Sequence, residues 1–171
     1  MTKIHHYTLA LQWTGNQGRG TNNYRSYNRS HTIAINGKTV IQGSSDPSFM
    51  GDPACHNPED LLLSSIAACH MLWYLSLCAE RGIIVLEYTD NPMGRMLENK
   101  DGSGQFTEVL LHPEITVAES FMIEEAVALH HKASQFCFIA SSVNFPIHHE
   151  PVIKAAYGIT AGPYDIQKSK S

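Results

Sequence analysis

Four cysteines and ten histidines are the side chains of this 171-residue chain best suited to do chemistry. A cysteine reacts as the thiolate, which needs a cation or N–H groups beside it; without them it is a small buried hydrophobe. Cys69 and Cys78 share one apolar run, "SSIAACHMLWYLSLCAERG", residues 64–82. Nine residues of helix turn through about 900° and rise roughly 13.5 Å, so the two thiols face opposite sides and cannot bond to each other. Cys69 shares its face with Leu62, Ser65, Ile66, Leu72, Trp73 and Ser76. Cys55 lies in a loop ahead of the run, and Cys137 lies between Phe136 and Phe138. Cys78 has the features of a plain core residue. For Cys69 and Cys137 the residues alone leave both readings open.

Six of the ten histidines form adjacent pairs, His5-His6, His130-His131 and His148-His149, and two more stand in the mixed pairs Cys55-His56 and Cys69-His70. Neighbours point about 100° apart on a helix and to opposite faces on a strand, so no such pair chelates as a local unit. His-x-x-x-His and Cys-x-x-Cys are both absent, and no metal and no bound cofactor are expected. Nor is there a nucleophile elbow, a P-loop or a dinucleotide fingerprint. "GNQGRG" has no strand–helix context and reads as a hairpin turn.

These residues need elements to hold them. Asn57 suits an N-cap, Pro58 the first helical position, and Glu59 and Asp60 the positive end of the dipole. Arg81 and Gly82 are stop signals, giving a helix of about 24 residues, roughly 36 Å long. It is apolar nearly all round and so must be buried on most sides. Strands are expected over residues 4–13, 23–29, 31–41 (a hairpin turning at Asn36-Gly37), 83–89, 93–98, 105–118 and 150–160. A loop of about fifteen residues precedes the long helix, of a length that is usually functional or mobile. A second helix is expected from Phe121 to Gln135, capped by Ser120, with "DIQKSKS" as a tail. The order implies one α+β domain, residues 1–171, with mostly antiparallel sheets packed on the long central helix and the second helix. Net charge is −4 without basic clusters, which argues against nucleic acid. The first 13 residues show no secretory pattern, and the run Leu61–Ala79 reads as a buried helix rather than a membrane span. A cytoplasmic location is expected, where structural disulfides are rare.

The stretch "NPEDLLLSSIAAC" resembles a signature of the OsmC/Ohr family, the osmotically inducible and organic hydroperoxide resistance proteins. Members carry Asn-Pro-Glu, an apolar helix and Ala-Ala-Cys at this spacing, with a second cysteine some sixty-odd residues on. Here Cys137 is that second cysteine. The element order agrees over nearly the whole chain. Two departures stand out: Phe138-Ile139-Ala140 follows the second cysteine in place of Pro-x-Ser, and His70 follows the first.

The resemblance implies a thiol peroxidase acting in oxidative and osmotic stress defence. Cys69 would attack an organic hydroperoxide and become a sulfenic acid, Cys137 would resolve it to a disulfide, and an external dithiol, such as a lipoyl-type reductant, would reduce that bond. It also implies an arginine and the Asn-Pro-Glu glutamate beside the thiol: Glu59, and Arg29 ahead of Arg25 and Arg19. The arginine would keep the thiolate charged, and the carboxylate would hold its fork. Glu59 and Cys69 lie ten residues apart on one helix, about 15 Å along the axis. If both serve one site they come from different subunits, which implies an intertwined homodimer. Phe49, Met50, Trp73, Phe136 and Phe138 would line an apolar pocket that favours organic over hydrogen peroxide. The alternatives are a non-catalytic dimer binding a small hydrophobic or acyl ligand, and an enzyme such as a thioesterase.

Overall fold

Three short strands occupy the N-terminal region of the computed structural model, which describes residues 2–157. The chain divides into two compact units, residues 1–62 and 63–171. In the first, β1 (Ala10–Trp13), β2 (His31–Ala34) and β3 (Ile41–Gly43) form an antiparallel sheet in that order. The β2–β3 hairpin bears out the Asn36-Gly37 signal, with Gly37 at φ 76°. The strand expected over 4–13 is shorter, because only Ala10–Trp13 find partners on β2. Residues 23–26 are turns rather than a strand, and within 23–29 only Tyr27 pairs, in a bridge to Asn16. Side chains there compete for the backbone: the Arg25 N–H donates to Asn23 Oδ1 at 2.9 Å and the Asn23 N–H to Ser26 Oγ at 3.1 Å. The long loop carries one 3-10 turn, Pro47–Phe49, capped by Asp46, which accepts from the Ser48 N–H at 2.7 Å.

The helix signals are met residue by residue. α1 spans Pro58–Glu80. Asn57 Oδ1 accepts from the Asp60 N–H at 2.7 Å, and Asp60 Oδ2 accepts from the Asn57 N–H at 3.2 Å, a reciprocal capping box with Asp in the acidic position. At the other end Gly82 takes φ 71°, Ile83 N–H donates to Cys78 O at 2.9 Å, and Gly82 N–H to Ala79 O at 3.2 Å, a Schellman ending.

The second unit holds two mixed sheets. β4 (Val85–Asp90) pairs antiparallel with β7 (Pro113–Glu119), which pairs parallel with β9 (Val152–Tyr157). β5 (Met93–Glu98) pairs antiparallel with β6 (Gly104–Leu111), which pairs parallel with β8 (Ile147–His149). The single strand expected over 105–118 is thus two strands in two sheets. They part at His112, whose N–H donates to Asp90 Oδ1 at 2.8 Å, ahead of the buried Pro113. Four of the six pairings among the described strands are antiparallel, as expected, and two are parallel; β8 has three residues, too few to show periodicity. Residues 158–160 of the last expected strand and the tail lie outside the described residues.

α2 (Ile123–Phe136) follows a 3-10 turn that begins at Ser120. Ser120 does not cap it: Met122 holds the N-cap position with no side-chain bond, since the 3-10 turn moves the helix start three residues on. Tyr74, Leu77 and Cys78 of α1 pack with Ile123, Ala126, Leu129 and Ala133 of α2 onto Ile115 and Val117 of β7 and Ile153 and Ala155 of β9. Alternate residues of each strand face the helices, as one-sided burial requires. α1 is long and apolar enough to span a bilayer by length and composition. Its buried residues are Ile66, His70, Tyr74, Leu77 and Cys78, and the last three belong to this core. Most of the helix is buried or half-buried within one chain, and one stripe, Asp60, Ser64, Ala68, Leu72 and Ser76, is exposed, Leu72 by 62%.

Candidate active site

The two cysteines that sequence analysis singled out meet. Cys69 is half-buried on α1, and Cys137 is buried at the end of α2. The Cys69 side chain lies close enough to the Cys137 thiol to raise its pKa. Cys137 leaves helical geometry at φ −67°, ψ 109°, while its N–H still donates to Ala133 O at 3.0 Å. Its Sγ accepts from the Ala140 N–H at 3.3 Å. Burial, and then the contact with Cys69, push the Cys137 thiol up to about 11, against the opposing pull of the Ala140 and Ile139 N–H groups. Cys137 is therefore a neutral thiol at pH 7, able to donate its proton. Cys78 is far from this pair in character. It lies in the core beside Tyr74, pushed up to about 11 by burial.

The departure after Cys137 has a structural replacement. Cys137 O accepts from both the N–H and the Oγ of Ser141, each at 3.0 Å, so the turn closes without a proline. Phe136 and Phe138 flank the sulfur and pack on Trp73, with ring centroids at 5.2 and 5.6 Å. Phe138 is 69% exposed, so the three rings form an open apolar shelf beside the thiols.

The remaining candidates belong to the first unit. Arg29 is half-buried, whereas Arg19 and Arg25 are exposed. Its guanidinium lies 4.2 Å from the Tyr24 ring and 4.3 Å from the Tyr27 ring. It donates to Tyr27 O at 2.6 Å and Tyr24 O at 2.7 Å, and Met50 Sδ lies at 3.9 Å. Phe49 O accepts from Ser45 Oγ at 3.1 Å, which fixes the loop that carries Met50. The structure thus brings Arg29 and Met50 together and fixes the arginine's fork. Glu59 stands in the first turn of α1, ten residues before Cys69, and its Oε2 is buried with no hydrogen-bond partner among the described residues. A buried carboxylate oxygen of this kind calls for a donor.

One cluster escaped sequence reasoning. His70 Nε2 lies 3.0 Å from His130 Nδ1. The His149 ring centroid is 5.3 Å from that of His70 and 6.4 Å from that of His130, and Tyr74 stacks on His130 at 4.0 Å. The signal was present in the adjacent pairs. Because neighbours cannot face the same way, the pairs at 69–70, 130–131 and 148–149 each send one imidazole inward. Burial is the first cause that holds all three below the ordinary histidine range, His70 at about 4 and His130 at about 2. No group of three or more His, Cys, Asp or Glu side chains among the described residues is arranged to hold a metal ion.

A family model for OsmC-like proteins matches residues 51–151. No curated protein matches the chain. Among solved structures it is similar to an OsmC-like protein of unknown function from Vibrio cholerae, with 27% identity and a TM-score of 0.78, covering 87% of this chain and 100% of that one. An organic hydroperoxide resistance protein from Elizabethkingia anophelis aligns with 22% identity and a TM-score of 0.62 over 91% of this chain and 99% of that one. One from Legionella pneumophila aligns with 17% identity and a TM-score of 0.62 over 88% and 99%. The last two likenesses bear on the fold.

Proposed function

Because the chain belongs to the OsmC-like family, we propose that it is a cysteine-based peroxidase that reduces organic hydroperoxides in oxidative and osmotic stress defence. The observation that carries this reading is the contact between Cys69 on α1 and Cys137 at the end of α2. The Cys69 thiolate attacks the distal peroxide oxygen; the O–O bond breaks, the alcohol leaves with a proton, and Cys69 becomes a sulfenic acid. The Cys137 sulfur then attacks Cys69, its proton leaves with the sulfenic oxygen as water, and the disulfide forms. An external dithiol reduces that disulfide and restores both thiols. Trp73, Phe136 and Phe138 supply the apolar shelf for the substrate, joined by Phe49 and Met50 of the loop.

Arg29 is the cation that stabilises the thiolate, and Glu59 with its unpartnered oxygen holds the guanidinium. Since about 15 Å of helix separates Glu59 from Cys69, the site combines residues of two copies in a homodimer. Both units make up one OsmC-like domain in this reading. Four free thiols suit the reducing cytoplasm.

The test is thiol counting under titration with cumene hydroperoxide. The wild-type chain should lose two of its four free thiols. Cys69→Ser should lose none, and Cys137→Ser should accumulate a sulfenic acid that dimedone traps. Hydrogen peroxide should react more slowly. Unchanged thiols in the wild type would defeat this reading and leave the shelf to a non-catalytic binder of hydrophobic or acyl ligands.

A further inference from the structure

The histidine cluster sits where the two cysteine-bearing helices meet. His70 follows Cys69 directly on α1. His130 precedes Cys137 by seven residues, about 20° short of two full turns, so His130, Ala133 and Cys137 lie along one line of α2. All three are buried. The 3.0 Å bond between His70 Nε2 and His130 Nδ1 therefore ties the two helices next to the two sulfurs.

An apolar pair would join the helices at less cost. His130 Nε2 and His149 Nδ1 are buried without hydrogen-bond partners among the described residues, a penalty that leucine would not incur. What a hydrogen bond adds is register: it fixes one angle and one height, where apolar packing tolerates several. Disulfide closure is demanding in this respect. Two sulfurs in contact must reach about 2.05 Å at a narrow dihedral, and slippage of one helix against the other removes the geometry.

We propose that the His70–His130 bond is a positioning device that holds Cys137 in register with Cys69 for disulfide closure, and does so only while one of the two facing nitrogens keeps its lone pair. The role rests on Cys69 and Cys137 being the redox pair. A neutral pair offers one N–H to one lone pair; with both rings protonated, two N–H groups would face each other. The groups around the bond favour the neutral form. On α1, Tyr74 stacks on His130. On β8, His149 faces both rings, with His131 of α2 and the neighbouring His148 acting on it. On β4, Tyr88 packs on Tyr74, and Asp90 lies beside Tyr88. The charges that act on His70 and His130 come from the other histidines and oppose protonation.

The test uses the full chain carrying Cys55→Ser and one equivalent of 4,4′-dithiodipyridine, which needs no peroxidase activity. Cys69 attacks the aryl disulfide and releases one thiopyridone. Cys137 then attacks Cys69, releases the second thiopyridone and closes the protein disulfide, so attack and closure appear as two absorbance phases. In His130→Leu the ratio of closure rate to attack rate should fall about tenfold, the size of one hydrogen bond's net worth. His70→Gln places an amide near the position of Nε2 but cannot gain a proton. Its ratio should stay within about twofold of wild type at neutral pH, yet lack the steeper fall that wild type should show as pH drops through about 4, where His70 takes up its proton. A loosened core would slow both phases and leave the ratio unchanged. A wild-type ratio in His130→Leu overturns the proposal; if that variant does not fold, a wild-type acid fall in His70→Gln does so. A two-phase wild type without peroxide turnover would defeat the peroxidase reading and leave this one standing.

Discussion

Cys137 and the three inward histidines are neutral groups held neutral by burial, and each ties function to pH. For the histidines the direction is set by linkage. Their folded values lie below the ordinary 6.5, His70 at about 4 and His130 at about 2. On acidification the unfolded chain therefore takes up protons before the folded chain does. Stability is intact above about pH 6.5 and falls as pH drops from there towards 4 and below, by up to about 1.4 kcal/mol per pH unit for each histidine. Urea midpoints measured at pH 7.5 and pH 5 should differ accordingly, and His130→Leu should flatten the slope. Equal midpoints for the wild type would mean that these imidazoles are solvated.

At the scale of elements, the ends of α1 and α2 are secured differently. The Asn57–Asp60 box satisfies donors that nothing else in the first turn reaches, so Asn57→Ala should cost about 1 kcal/mol. Gly82 ends α1 at φ 71° with nothing within 4 Å of an added Cβ, so Gly82→Ala should cost about 1 kcal/mol through backbone strain alone. Ser120 makes no cap, so Ser120→Ala should stay within about 0.5 kcal/mol. Thermal melts of the three variants check the ranking, and a Ser120→Ala loss equal to that of Asn57→Ala would contradict the helix start at Ile123.

At the scale of the whole molecule, α1 is the element that one chain leaves partly open. Most of it is buried or half-buried within one chain, but the stripe of Asp60, Ser64, Ala68, Leu72 and Ser76 is exposed, Leu72 by 62%. Glu59 keeps a buried oxygen without a donor. In the dimeric reading a second copy answers both. Sedimentation should give twice the chain mass, and Leu72→Glu should reduce it to one chain and lower peroxide turnover, because the site would lose its other half. A fully active wild-type monomer would remove the dimer and the shared site together.

The sequence by itself determined what depends on near neighbours. The α1 boundaries follow from Asn57, Pro58 and Gly82, the hairpin from Asn36-Gly37, and the divergence of Cys69 from Cys78 from helical pitch. Only the tertiary structure decided what depends on distant partners. Whether residues 4–9 or 23–29 pair, where 105–118 splits between two sheets, and that Cys137 meets Cys69 are settled by which strand or helix lies opposite. The histidines show the division most clearly. Each adjacent pair shows that one ring turns inward, but that three inward rings converge is a product of packing between α1, α2 and β8, which no local period encodes.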